Sequence, residues 1–203
     1  PIYDALSEAL LGRLDEARAL GDEAIEHARG VDHLNTLGYT LFHCGVWLQA
    51  ILRETDALRR HGAELLELAG EHRLGFWRAL ATPFLLETEE AERAVRVYRR
   101  EFNAGLTVPQ QLCQVADSYA ATGRTEDATR VLAEARELME QQGDVYWEPE
   151  LVRLGGRLAA AEGAPAEAAT AFKRALALAR ESGGHLLELR AATRLARLCS
   201  GQG

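Results

Sequence analysis

The sequence predicts an all-α protein, and three observations support this prediction. Apolar and small residues recur three and four positions apart, which is the spacing of one helix face. Strong helix formers, chiefly Ala, Leu, Glu and Arg, dominate the 203 residues. Runs in which Val, Ile and Thr alternate with polar residues, a pattern typical of strands, are missing. The hydrophobic content of 47% is sufficient for a core.

Glycine and proline divide the chain into short helical segments. Glycines stand at most of the expected helix ends, and Pro165 suits the first turn of the helix that it opens. Pro83 falls inside a helical segment and should kink or shorten it. The longest expected loop is 101–109. The predicted helices are 2–11, 14–29, 33–51, 55–70, 74–86, 88–102, 108–122, 125–141, 146–162, 165–182 and 185–199.

A short turn signal recurs along the chain and predicts a repeat. In its clearest form a glycine is followed by a few polar residues, an acidic residue and an alanine, as after Gly12, Gly123 and Gly163. Weaker forms begin at residues 53 and 87. The alanines that close these signals are Ala17, Ala57, Ala91, Ala128 and Ala168. Their separations of 40, 34, 37 and 40 residues are each long enough for one hairpin of two helices.

Small residues predict where the two helices of a hairpin cross. Ala168, Phe172 and Ala175 stand at i, i+4 and i+7 and therefore share one face of the second helix. Twelve residues before the alanine, glycine or alanine recurs in the first helix, as at Gly156 and Gly45. We therefore expect the helix backbones to approach closely at these positions.

These offsets resemble tetratricopeptide-type repeats. In that family a small residue, a bulky residue, and then alanine, an aromatic residue and alanine recur at the same separations. Phe172 and Tyr119 match the aromatic positions, whereas Ala159 stands where the family has a bulky residue and Gly155 where it has leucine. The repeats are therefore divergent members of the pattern.

The resemblance implies a right-handed α-solenoid of about five helical hairpins followed by a terminal helix. We expect one repeat domain over residues 1–203. Within it, the N-terminal repeats occupy 1–70, a divergent and irregular repeat occupies 71–109, and the best-defined repeats with a capping helix occupy 110–199.

A narrower resemblance covers about residues 110–199. The pairs Trp147-Glu148 and Glu150-Leu151, the alanine-rich helix and residues 187–192 make this part similar to the C-terminal repeat region of large bacterial signalling proteins. In those proteins an AAA-like ATPase module is joined to a nucleotide cyclase or to a LuxR-type DNA-binding domain. The resemblance implies a regulatory or sensor region, and we expect this chain to be a piece of such a protein.

Composition argues against several classes of partner and site. The formal net charge of −8 lacks the basic excess of nucleic-acid-binding proteins, so we expect no direct DNA or RNA binding. No apolar run approaches the roughly 20 residues that span a bilayer, so we expect no membrane insertion. Cys44, Cys113 and Cys199 are far apart and form no paired motif, which favours a reduced, cytoplasmic setting without disulfides or zinc.

The motifs of catalysis and cofactor binding are also missing from the sequence. It contains no phosphate-binding loop and no H-E-x-x-H motif. His43 and Cys44 are adjacent, so a helix would direct them to diverging faces, which suits a nucleophile–base pair poorly. We therefore predict a non-catalytic protein with no cofactor, no metal site and no catalytic residues.

Two groups on the predicted first helices are candidates for binding a ligand or partner. An aromatic group comprises Tyr39, Phe42, His43, Phe76 and Trp77. A cationic group comprises Arg153, Arg157, Arg190 and Arg194. Arginines four residues apart repel each other, so they need a carboxylate of the protein or a bound anion.

Each group also has a structural interpretation. The aromatic residues could be ordinary core between hairpins, and Glu150, Glu162 or Glu188 could neutralise the arginines within the fold. The functional interpretation is a module that binds a protein or peptide partner or a small-molecule effector. The arginines favour an acidic protein or peptide. The alternative function is self-association, in which the apolar terminal helix pairs two chains as a homodimer.

Overall fold

The computed structural model describes residues 1–102, 107–143 and 145–201, and every regular element in these residues is helical. The all-α prediction is therefore confirmed for them. The chain divides into two compact units, Pro1–Asn103 and Ala104–Gly203. The solenoid arrangement and the single repeat domain stay predictions.

Unit 1 consists of helical segments that pack in consecutive pairs. Helix α1 packs on α2, the π-helical segment and α4 pack on α5, and α6 packs on α7. Further contacts of α5 with α6, and of α2 with the π-helical segment, join these pairs. The segments are α1 (Ile2–Leu10), α2 (Leu14–Arg29), α3 (Leu34–Thr40), a π-helical segment (Leu41–Trp47), α4 (Leu48–Leu52), α5 (Thr55–Glu71), α6 (Gly75–Leu85) and α7 (Thr88–Phe102).

Unit 2 contains two helical pairs and a final helix. Helix α8 packs on α9 and α10 packs on α11, while α12 packs on α11 and also contacts α10. Helices α8, α10 and α12 therefore form a series, because α10 contacts both of the others. The helices are α8 (Val108–Ala121), α9 (Thr125–Gln142), α10 (Glu148–Ala161), α11 (Pro165–Glu181) and α12 (His185–Cys199).

The predicted helix boundaries agree with the structure to within two residues. Glycines with positive φ, such as Gly123 and Gly163, form the hairpin turns that the repeated signal predicts. The predicted loop 101–109 is partly wrong, because α7 extends to Phe102 and α8 begins at Val108. The rest of that loop lies largely outside the described residues. Helix α6 continues through Pro83 and ends two residues later.

The predicted helix 33–51 contains a π-helical segment that the sequence pattern did not indicate. A π-helix bonds each carbonyl to the amide five residues ahead, so it widens the helix and leaves some groups without their usual partners. The side-chain amide of Gln49 donates a 3.0 Å hydrogen bond to the carbonyl of Cys44. This bond satisfies a buried backbone group inside the segment.

The predicted close crossings are confirmed at both glycines. A Cβ atom added at Gly156 would lie 2.8 Å from Phe172 Cε1, and one added at Gly45 would lie 2.6 Å from the Cβ of His61. Both contacts join residues sixteen positions apart. The small residues of the first helix therefore let a large side chain of the second helix pack directly on its backbone.

We predict that alanine substitutions at two adjacent glycines will have opposite effects. Gly156→Ala should lower the free energy of unfolding by about 1–2 kcal/mol, because the new methyl group overlaps Phe172. Gly155→Ala should raise it by about 0.5–1 kcal/mol, because its Cβ would meet no other atom within 4 Å and alanine favours the helix. Urea denaturation followed by circular dichroism measures both. Two changes of the same sign would contradict this account of the crossing.

Candidate functional site

Arg153 is the largest fully buried side chain in the described parts of the chain. It lies on α10 and is 1% exposed. Its Nε and Nη2 atoms donate hydrogen bonds of 2.8 Å to the two carboxylate oxygens of Glu150, one turn earlier on the same helix. Burial opposes the charge of Arg153, but the charge of Glu150 and these hydrogen bonds outweigh it, so the pKa of Arg153 is raised.

Two further arginines join this pair to neighbouring helices. Arg190 of α12 approaches the carboxylate of Glu150, with Nη1 3.5 Å from Oε1. Arg157 of α10 pairs with the carboxylate of Asp117 on α8 and donates a 3.3 Å hydrogen bond to its backbone carbonyl. The carboxylate of Asp117 also lies 4.0 Å from Nη2 of Arg153. The network therefore connects α8, α10 and α12.

Arg194 differs from the other three arginines. It makes no ion pair or hydrogen bond with any side chain in the part of unit 2 that the structure describes. Partial burial, followed by repulsion from Arg153 and Arg157, lowers the pKa of Arg194 from its usual value. Arg194 therefore carries a charge that burial and its neighbours disfavour, next to guanidinium groups that already have carboxylate partners.

The structure brings all four predicted arginines together, and we call them with Asp117 and Glu150 the arginine cluster. Its six side chains carry four positive and two negative charges, an excess of +2. Glu150 was among the carboxylates that the sequence suggested, whereas Glu188 instead binds Arg180 at 2.7 Å. Asp117 was missed, because it lies 40 residues before Arg157 and only the packing of α8 against α10 brings it close.

The five predicted aromatic residues also come together, within unit 1. The rings of Tyr39 and His43 lie 4.0 Å apart, those of Tyr39 and Trp77 5.8 Å apart, and those of Phe76 and Trp77 5.0 Å apart. Phe42 completes the group at 6.4 Å from Trp77. Phe84 contacts Phe42 from α6 at 5.8 Å, so the group continues into the core.

The predicted aromatic lining is only partly a surface. Phe42 has no exposed area and Trp77 is also buried, so both belong to the core of unit 1. The reason is that α6 packs on the π-helical segment and covers that face. Tyr39 and His43 are half-buried, and Phe76 is 40% exposed. The structural interpretation therefore holds for Phe42 and Trp77.

Hydrogen bonds and burial fix the polar groups of this region. The hydroxyl groups of Tyr3 and Tyr39 form a hydrogen bond, and burial together with this bond raises the pKa of Tyr39 to about 12. His43 Nδ1 donates to the carbonyl of Tyr39 at 2.8 Å. Burial raises the pKa of Cys44 to about 12, so its thiol is protonated at neutral pH and poorly suited to act as a nucleophile.

A buried histidine packs against the same π-helical segment. His61 of α5 lies on Gly45, and its Nδ1 atom is 3.7 Å from the carboxylate of Glu64, beyond hydrogen-bond distance. Burial, followed by repulsion from Arg60, lowers the pKa of His61. The folded state therefore favours the neutral imidazole.

The described residues show neither a metal site nor a membrane-spanning helix. Among the described residues, no three His, Cys, Asp or Glu side chains lie close enough together to hold a metal ion. In the same parts of the chain, no helix is long and apolar enough to span a bilayer.

We predict that Glu150→Gln will destabilise the fold strongly. It removes the carboxylate beside a buried guanidinium, and breaking a buried ion pair from one side costs about 3–5 kcal/mol. The matched control is Glu148→Gln, which breaks the exposed pair of Glu148 with Arg174 and should cost less than about 1 kcal/mol. Both are measured by urea denaturation. Equal losses for the two variants would show that burial does not strengthen the Glu150 pair.

We also predict a loss of stability in mild acid that depends on His61. Because its pKa is lower in the folded state, its contribution is complete above the unfolded-state pKa of about 6.5 and is lost as the pH falls below that value. His61→Gln should therefore make unfolding less sensitive to pH between 7.5 and 5. Exposed His72→Gln is the control. Equal pH dependence in the wild type and His61→Gln would contradict the assignment.

Comparison with known proteins does not place the chain in a family. No protein-family model matches it, and a search of curated proteins finds no relative. The resemblance to tetratricopeptide-type repeats therefore stays a prediction from the residues that carry it.

Proposed function

We propose that this chain is a non-catalytic binding module that holds an acidic ligand at the arginine cluster of unit 2. We further propose that the chain is a cytoplasmic regulatory or sensor region of a larger bacterial signalling or transcription-regulating protein. The ligand is an acidic protein segment or peptide, or an anionic effector. The net charge of −8 supports a partner other than nucleic acid or an anionic membrane.

The single observation behind the proposal is the state of Arg194. The fold supplies carboxylates to Arg153, Arg157 and Arg190 as ion-pair partners. Among the described residues Arg194 has only the more distant attraction of Asp117, which burial and the repulsion from Arg153 and Arg157 outweigh. A partly buried charge without a partner is costly, and an arginine guanidinium is well shaped to bind a carboxylate with two hydrogen bonds. An anion that binds here removes the repulsion between Arg194 and Arg157.

The position of the cluster gives such binding a mechanical consequence. Arg194 lies on α12, whereas Arg153 and Arg157 lie on α10. An anion shared between them favours the packed arrangement of these two helices and so shifts the equilibrium towards it. We therefore propose that the ligand acts by stabilising α12 against α10, and that a domain attached to this region would respond to that change.

The second candidate function is self-association through α12. Leu189 of this helix is 60% exposed, although it is a large apolar residue. A second copy that covers this leucine would bury apolar area and could form a homodimer. A chain that stays monomeric in light scattering at high concentration would exclude this candidate without affecting the first.

We predict that Arg194→Glu will weaken the binding of an acidic probe. The probe is a fluorescein-labelled hexaglutamate peptide, titrated at low salt and followed by fluorescence anisotropy. The wild type should bind it saturably, and the variant should bind at least about ten-fold more weakly, which corresponds to about 1.4 kcal/mol. The peptide should also raise the melting temperature of the wild type.

The matched control is Lys173→Glu, which makes the same charge change at an exposed residue of α11. It should retain most of the wild-type affinity. If both variants weaken binding equally, the peptide responds to net charge and not to the cluster. If the wild type does not bind the peptide, an acidic protein segment is ruled out as the ligand.

A further inference from the structure

A hollow lies between α9 and α11 on the other side of α10 from the arginine cluster. The hollow is open to solvent, and its volume of about 460 Å³ is large enough for a small molecule. Val152 and Gly155 of α10 line it. Helical periodicity places these two residues on a different face of α10 from Arg153 and Arg157. A second cavity of about 350 Å³ adjoins it and shares Val152 and the arginines Arg136 and Arg174.

Gly155 has no structural explanation within the fold. Its φ is not positive, and a Cβ atom at this position would meet nothing within 4 Å, apart from its chain neighbours and its own helix backbone. Glycine in a helix is less stable than alanine, so this residue weakens α10 without improving its packing. The next residue, Gly156, is different, because Phe172 packs directly on it.

The preceding hairpin shows how the same position can be filled. Val115 stands thirteen residues before Ala128 on α8, as Gly155 stands thirteen residues before Ala168 on α10. Val115 is 1% exposed and is part of the core. The hollow is therefore a local property of the α10–α11 hairpin, produced by a glycine where its neighbour has a buried branched side chain.

The walls of the hollow define the chemistry of its occupant. Its floor is apolar, and two arginines stand beside it, Arg136 on α9 and Arg174 on α11. Arg174 is held by Glu148, with 3.2 Å between Nη2 and Oε1. Arg136 makes no ion pair with the residues that the structure describes. Glu167 also lines the hollow, so the three charged groups around it sum to +1.

We propose that this hollow binds an apolar monocarboxylate. The carboxylate pairs with Arg136, and the apolar body lies on Val152 in the space that Gly155 leaves open. Glu167 disfavours ligands with two or more negative charges, which distinguishes this site from the arginine cluster. The inference does not depend on the proposed function, because no member of the arginine cluster lines the hollow.

Octanoate is the probe, measured by isothermal titration calorimetry, with 1-octanol as its uncharged counterpart. The full chain should bind octanoate saturably, and octanol at least about ten-fold more weakly. Gly155→Leu should abolish octanoate binding by filling the hollow. Its melting temperature should not fall, because the added Cβ has free space. Arg136→Gln should weaken octanoate binding to the level of octanol.

Lys173→Gln is the control, because it removes one charge from α11 at a residue that does not line the hollow. It should bind octanoate like the wild type. The proposal is overturned if octanoate does not bind saturably, or if folded Gly155→Leu binds it with wild-type affinity. If Gly155→Leu does not fold, Arg136→Gln decides, and unchanged affinity in that variant overturns the proposal.

Discussion

The burial of Arg153 is the constraint on which unit 2 depends. A guanidinium group removed from water needs a carboxylate with good geometry, and Glu150 supplies one from the preceding turn of the same helix. Once Glu150 is fixed, it also attracts Arg190 from α12. Asp117 of α8 completes the arrangement through Arg157. A local pair within α10 thereby determines how charged side chains of three helices meet.

Close approach of backbones is the second constraint, and it acts in both units. At Gly156 and Gly45 a large side chain of the following helix rests on the bare backbone of the preceding one. These contacts explain why the alanine-rich helix α11 buries a useful face with so few large residues. Phe172 is the large residue among the four buried positions of α11, and the three buried alanines allow α10 to come close enough to be covered.

Much of the fold could be predicted from the sequence because its signals are local. Turn glycines, helix periodicity and the spacing of small residues all act within one hairpin, and they located the helices and the Gly156 crossing. The π-helical segment was missed because the apolar spacing of residues 33–51 is the same as that of an ordinary α-helix. Core and surface were both open for Phe42 from the sequence, because the covering helix α6 belongs to another hairpin. For the site, periodicity grouped the four arginines, but only tertiary packing could reveal Asp117.

Each of the two candidate binding sites contains a residue that the packing of unit 2 does not explain. Arg153, Glu150 and Gly156 are each explained by a contact that the fold requires. No such contact explains Arg194, whose charge exceeds what the neighbouring carboxylates balance. No such contact explains Gly155 either, because the space beside it is left open. Glycine is less stable than alanine inside a helix, and the charge of Arg194 is disfavoured by burial and by repulsion from Arg153 and Arg157. Natural proteins commonly accept such costs at functional sites, since a ligand can supply the missing charge or fill the missing volume. The two binding proposals therefore rest on the residues that the contacts of the fold do not explain.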